Sequence, residues 1–226
     1  MIDVRFSDEI VRYCPAIQVG VVAATVTNSD TSDELWQDIE TEAARISQRY
    51  ELLAINQRPA IAATRRLYKA LGKDPGRYRV ASEQLCRRII RGLGLYRLTT
   101  LIDVVNLVSM VSGYPISGLD ADKIAGPVME MGVGRAGEIY HGIGRGELNI
   151  EAMPVYRDAL GGIATPTSDE ERTKFTLDTR HVQICINAFG EEMPLNQTVA
   201  WMSQLLERYA LAVDIETKIV CNSHNS

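Results

Sequence analysis

The feature that most constrains the fold of this chain is a change of texture near Gly113. Up to that glycine, apolar residues recur mainly at helical spacing. Beyond it, glycine, proline and period-two alternation take over. Helices gathered in one half, with strands clustered in the other and mostly lacking helices between them, predict an α+β domain rather than a doubly wound α/β sheet.

The boundaries follow from capping and turn chemistry. A short strand at residues 4–6 precedes a helix that Ser7, Asp8 and Glu9 can start, and residues 17–26, rich in Val, Ile and Thr, read as a buried strand. Thr31 to Glu34 has capping-box spacing before a helix over 34–50. Pro59 opens and Gly72 closes the next helix; others are expected over 84–91 and from Thr99 or Thr100 to Ser112. Strands are expected at 127–131, 138–142, 147–150, 175–177 and 182–188, then a helix over 196–211 and a strand over 213–220. With no repeat or linker in view, residues 1–220 read as one domain and 221–226 as a frayed polar tail containing His224.

At 226 residues and 46% hydrophobic content, the chain can bury one sizeable core. Its longest apolar stretches fall short of the roughly 20 residues that span a bilayer, and residues 1–5 lack the order of a secretory signal, so the expectation is a cytoplasmic protein without a membrane partner. Cys14, Cys86, Cys185 and Cys221 are scattered, and His141, His181 and His224 lack ligand spacing; neither a metal nor a disulfide framework is expected. Gly132 to Gly137 spells the Gly-x-Gly-x-x-Gly of a dinucleotide loop. The alternating residues that follow deny it the helix needed to face a pyrophosphate, so a hairpin turn is expected and no cofactor. No serine-hydrolase elbow or phosphate-binding loop is present.

The net charge of −5 hides an asymmetry: residues 58–97 carry 11 basic residues against Asp74 and Glu83, a local +9, while the rest of the chain carries −14. Such a flank, with Arg65, Arg66, Lys69, Arg87, Arg88 and Arg91, suits either phosphate binding or a solvated helical face balanced elsewhere in the fold.

Two segments carry candidate chemistry. In Leu101 to Val111, apolar residues point almost all round a helix while Asp103, Asn106 and Ser109 form a stripe at three-residue spacing. Buried polar groups without partners cost about 1–3 kcal/mol, so the stripe faces a polar network or a ligand pocket. In residues 158–173, Gly161 and Gly162 permit close backbone approach, and Thr165, Thr167, Ser168, Asp169, Arg172 and Thr173 offer short polar contacts. That segment suits a substrate's amine and ribose hydroxyls, or a turn followed by a helix cap.

The succession Arg77 to Leu85, Arg87-Arg88, Asp103-Val104-Val105-Asn106, Asp120-x-Asp122-Lys123-Ile124-x-Gly126 and Thr165-Pro166-Thr167-Ser168-Asp169 resembles the core of the phenylalanyl-tRNA synthetase beta subunit, its third and fourth modules. The resemblance covers roughly residues 50–188. It implies an α+β domain whose pocket hydrolyses tyrosine wrongly esterified to the phenylalanine tRNA, without the aminoacylation, anticodon-binding and dimer-forming parts of that enzyme. Asn106 and the Gly161-Gly162 loop with its downstream acids are carried over as pocket residues. Where bacterial subunits commonly place a histidine after the Asn106 helix, this chain has Ser117, so the resemblance alone does not fix the family substrate here.

An aminoacyl ester is already activated, and positioning with oriented dipoles can do most of the catalysis. On this reading Asn106 orients the amino-acid part, the Gly161-Gly162 backbone approaches the carbonyl, and Asp169 or Glu138 orients water. Ser109, Ser117, Thr165 and Ser168 complete the substrate contacts. His141 is either a proton relay or an exposed strand residue. Three classes follow: a trans-acting deacylase of mischarged tRNA, a non-catalytic tRNA or aminoacyl-tRNA binding module, and an accessory protein binding an amino acid or an unidentified protein partner.

Overall fold

The computed structural model describes residues 1–222. In chain order they form β1 (Asp3–Phe6), α1 (Asp8–Tyr13), β2 (Gln18–Thr25), α2 (Asp33–Arg49), α3 (Pro59–Leu71), α4 (Ala81–Ile90), α5 (Thr100–Ser112) and β3 (Ile116–Asp120). There follow β4 (Val128–Val133), β5 (His141–Gly142), β6 (Gly146–Glu147), β7 (Pro154–Asp158), β8 (Gly161–Ala164), β9 (His181–Ala188), α6 (Leu195–Ala210) and β10 (Val213–Cys221). The fold is α+β, as the texture of the sequence requires. Among the described residues no helix is long and apolar enough to cross a membrane.

Two four-stranded sheets stack. One runs β10-β2-β9-β3, antiparallel throughout; the other runs β1-β4-β7-β8, with β1 parallel to β4 and Asp3 opposite Val128. β2 is a nearly continuous apolar run because both its faces are covered. Val22 and Ala24 join the core made with α2, α5 and α6, while Val19 and Val21 pack towards the second sheet beside Val4, Met129 and Tyr156. A strand buried on both faces cannot alternate with polar residues.

The expected caps form with one adjustment. Ser7 accepts from the Ile10 N–H, but Ser32, rather than Thr31, caps α2 by accepting from Leu35. Thr31 instead donates to Asp103. The glycine-rich segment does leave a strand and enter a turn. There the Gly134 N–H donates to Met153 O, and the Ala152 N–H donates to Gly134 O. A Cβ on Gly134 would stand 1.8 Å from Ile150 O, so this glycine serves chain-to-chain approach.

Four expectations need correction. Residues 175–177 form no strand, because Thr179 closes a turn on Thr176 while Phe175 packs inward. The strands expected at 138–142 and 147–150 shrink to a two-residue pair, β5 and β6. β3 went unread because its five residues, including Ser117, Gly118 and Asp120, are buried without an apolar signature. Gly161 and Gly162 open β8 of a hairpin, where Asp158 accepts the Leu160 and Gly161 N–H groups. At the C-terminal end, Cys221 is the last residue of β10, and His224 lies outside the described residues.

Candidate functional site

α5 projects Ile102, Val105 and Asn106 towards β3 and the loop after β8, and between them lies a cavity of about 240 Å³. Its lining is mostly apolar, from Leu98, Ile102, Val105, Ile116, Ile143 and Phe175, with Asn106, Thr165, Ser168 and Asp169 as polar groups and Lys174 beside them. An apolar chamber with few polar groups is the usual form of a small-molecule site. A larger furrow of about 570 Å³ beside β1, α1 and β10 gathers none of the candidate residues.

Asn106 is half-buried and its side-chain amide has no hydrogen-bond partner among the described residues. Its neighbour along the stripe behaves differently. Asp103 is buried and accepts from the Thr31 hydroxyl at 2.5 Å and from Leu98 N–H at 2.9 Å, so it secures the chain entering α5. Ser109 donates to Tyr114 O at 2.8 Å and lies outside the cavity lining. The stripe therefore divides into two structural groups and one amide facing a chamber.

Asp169 supplies the ionisable group. Burial pushes its carboxyl up to about 7, against the opposing effect of a 3.0 Å hydrogen bond from Gly118 N–H and another from the Ser117 hydroxyl. Ser117 thus reaches the site through Asp169. Gly118 is needed for a second reason: a Cβ would stand 2.6 Å from the Phe175 ring, which forms part of the cavity wall.

The loop bearing Asp169 is held in place before any ligand arrives. Thr165 Oγ1 accepts from the Thr167 and Ser168 N–H groups and donates to Ser168 O at 2.8 Å. Tyr140 donates to Ser168 O at 2.7 Å, Tyr68 pairs with the Thr167 hydroxyl at 2.9 Å, and Ala81 N–H donates to Pro166 O at 2.8 Å. Both tyrosines are buried. Of the sequence candidates, Asn106, Thr165, Ser168 and Asp169 line the one cavity, and Ser117 braces it.

The others lie elsewhere. Glu138 receives Arg157 Nε at 2.7 Å; burial raises its pKa, but the bonds from Arg157 and from Arg135 N–H outweigh that and hold it below its ordinary value. Glu138 is outside the cavity lining, as are Gly161 and Gly162, the latter close against the Tyr140 ring. His141 is exposed, 4.0 Å from Glu170. The sequence reading missed Ile102, Val105, Gly118, Ile143, Lys174 and Phe175. Ile102 was accessible to it, standing one helical turn before Asn106; Gly118 gave no local signal.

The basic flank is only partly free. Glu83, fully buried, takes Arg65 Nη1 at 2.7 Å on one oxygen and Arg87 Nε at 2.8 Å on the other. Arg88 donates to Gly94 O and Leu93 O and lies over the Tyr96 ring. Arg66, Lys69 and Arg91 are exposed and lack a partner among the described residues. Also among the described residues, no three His, Cys, Asp or Glu side chains gather in a way that could hold a metal.

No curated protein matches the chain. Among solved structures, it is similar to an N-terminal fragment of the phenylalanyl-tRNA synthetase beta subunit from Pyrococcus horikoshii, with a TM-score of 0.47 and 14% identity. The alignment covers 96% of this chain and 50% of that one, so this chain spans half the length of the relative. A likeness of that degree carries no functional argument. The family model described as the B3/4 domain matches residues 63–217, a span that includes the cavity from Ala81 to Phe175. That match extends over more than half of the chain, and the protein belongs to the B3/4 domain family.

Proposed function

We propose that this protein is a trans-acting deacylase, hydrolysing the ester of a mischarged aminoacyl-tRNA in the cavity between α5 and the 165–169 loop. The observation that carries the proposal is the pairing, in one chamber of single-amino-acid scale, of an unpartnered Asn106 amide with an Asp169 carboxyl poised near neutrality. Support for the tRNA substrate comes from the family match.

The chemistry needs no covalent intermediate. Asn106 offers a carbonyl acceptor and two amide hydrogens, and so holds the amino group or ester carbonyl of the substrate. Ionised Asp169 accepts a proton from water as the water oxygen forms its bond to the carbonyl carbon. The ester C–O bond then breaks, the proton passes to the departing ribose oxygen, and the products are the free amino acid and uncharged tRNA. A carboxylate with pKa near 7 is matched to both halves of that transfer. Proximity in a mostly apolar cavity supplies much of the remaining acceleration.

Hydrolysis measured across a panel of mischarged tRNAs tests the proposal directly. The expected result is rapid deacylation of one or a few species. If aminoacyl-tRNA binds tightly while every ester in the panel stays intact, the binding-module reading replaces it.

The arginines lead to a separate expectation about tRNA affinity. With Arg65 and Arg87 committed to Glu83, phosphate binding falls to Arg66, Lys69 and Arg91. The double variant Arg66→Ala/Arg91→Ala is expected to reduce the slope of log affinity against log salt by roughly two, about one for each phosphate left without its arginine. Arg87→Ala should leave that slope nearly unchanged but lower the melting temperature, because Glu83 is deprived of a partner in a buried site. Equal slopes in the double variant and the parent protein would return Arg66 and Arg91 to a solvated face.

A further inference from the structure

The segment between α4 and α5, which reaches the cavity at Leu98, is unusual in presenting large apolar side chains to solvent on a basic flank. Leu93, Tyr96 and Leu98 are 59%, 67% and 48% exposed. They do not sit on a loose loop. Arg88 Nε and Nη2 donate to Gly94 O at 3.1 Å and Leu93 O at 3.3 Å, and Leu98 N–H donates to Asp103, one turn of α5 from Asn106. Arg97 donates to Thr31 O at 2.6 Å and pairs with Asp33. The loop is thus tied down on both sides of Tyr96.

The Arg88 guanidinium lies 4.4 Å from the Tyr96 ring centroid. It backs one face of the ring, on a residue that is two-thirds exposed. Leu98, two residues further on, lines the cavity, so the Tyr96 backbone stands within about 7 Å of a cavity-lining residue, the reach of two extended residues. Arg91, five residues before Tyr96, is exposed and without a partner among the described residues.

We infer that Tyr96, backed by Arg88, is a stacking platform for an unpaired base of a single-stranded RNA end whose terminal nucleotide reaches the cavity. This rests on the proposed aminoacyl-tRNA substrate and specifies how its strand is held outside the pocket. An aromatic ring beside cationic side chains is the combination that binds single strands without sequence reading: the ring takes any base face, and the cations follow the backbone. Charge and position together favour this occupant over an acidic peptide or an apolar protein partner. Leu98 joins this segment to the cavity lining, Arg88 and the exposed Arg91 supply positive charge on it, and Glu83, one of the two acidic residues of 58–97, is already engaged by Arg65 and Arg87.

The test uses the intact chain and two unacylated probes, a short single-stranded RNA and a blunt RNA duplex of equal phosphate number, followed by fluorescence anisotropy. Tyr96→Ala is expected to weaken single-strand binding at least about fivefold, Tyr96→Phe to retain it, and neither to alter duplex binding; the salt slope should stay the same because every phosphate keeps its cation. Thermal unfolding of each variant separates loss of the ring from loss of the fold. Unchanged single-strand affinity in a folded Tyr96→Ala variant overturns the platform and leaves the exposed patch to a protein partner; an equal loss on the duplex also overturns it. Because the probes carry no ester, a protein that stacks RNA but deacylates nothing retains the platform while losing the proposed hydrolase function.

Discussion

Asp169→Asn is expected to slow single-turnover deacylation by about a hundredfold or more and to remove an ionisation near pH 7 from the rate profile. General-base assistance by a positioned carboxylate is worth roughly 10²–10⁴-fold, and asparagine cannot accept the proton. The parent rate should rise through pH 7 as Asp169 ionises and then level off. A substrate α-amino group also titrates, near about 7.7–8.0, so any step that survives in the variant belongs to the substrate. Stability provides a second reading with a definite sign. Between the unfolded carboxyl value, roughly 3.9, and the folded value, about 7, the unfolded chain binds fewer protons, so stability falls as pH rises. Each pH unit in that window costs at most about 1.4 kcal/mol, with no further slope from this group above it. The asparagine variant should lack that slope and match or exceed the parent protein in melting temperature at about pH 8. A variant that hydrolyses at the parental rate would remove Asp169 from the chemistry.

Asn106→Ala is expected to leave the fold intact and lower the deacylation rate at least about tenfold, or about 1.4 kcal/mol in the barrier. The first half follows from the amide having no protein partner to strand: Ile102 and Val105 keep their places, and no buried donor or acceptor is left unmet. The second half follows from removing the group that orients the substrate. Melting temperature measured beside single-turnover hydrolysis separates the two. A variant that melts early, with its folded fraction hydrolysing at the parental rate, would identify Asn106 as a structural residue.

The legibility of this molecule divides along physical lines. Helix ends were readable where local chemistry decides them, as at Ser7, Pro59 and Gly72. β2 was readable because burial on both faces leaves a nearly continuous apolar run, and β9 because Val182, Ile184, Ile186 and Ala188 recur at period two. β3 and the β7-β8 hairpin were not, since glycine, serine and proline there are selected by neighbours distant in sequence: Gly118 by Phe175, and Gly162 by Tyr140. The same division holds at the cavity. Asn106 is conspicuous on its helix from sequence alone, and Asp169 stands in a segment dense with polar side chains. What raises the Asp169 pKa, however, is burial, working against hydrogen bonds from Ser117 and Gly118 of β3 about fifty positions away in the chain, and no local pattern encodes that balance. The arginines show the opposite error. Counting charge along residues 58–97 cannot reveal that one buried glutamate engages two of them.

The parallel pairing of β1 with β4 has a consequence for the order of events as the chain folds. Asp3 meets Val128, and the Ile2 backbone exchanges two hydrogen bonds with the Gln183 side chain, so this edge requires closure of very long loops. Closure entropy grows only logarithmically with loop length, but contacts of high sequence separation still slow the search. β4, β7 and β8 can pair through shorter connections, whereas β1 has no strand partner but β4 in its sheet. In pulsed amide-exchange labelling during refolding, the backbone amides of β1 should therefore acquire protection after those of the β7-β8 hairpin. The first strand in the chain is then among the last to be secured.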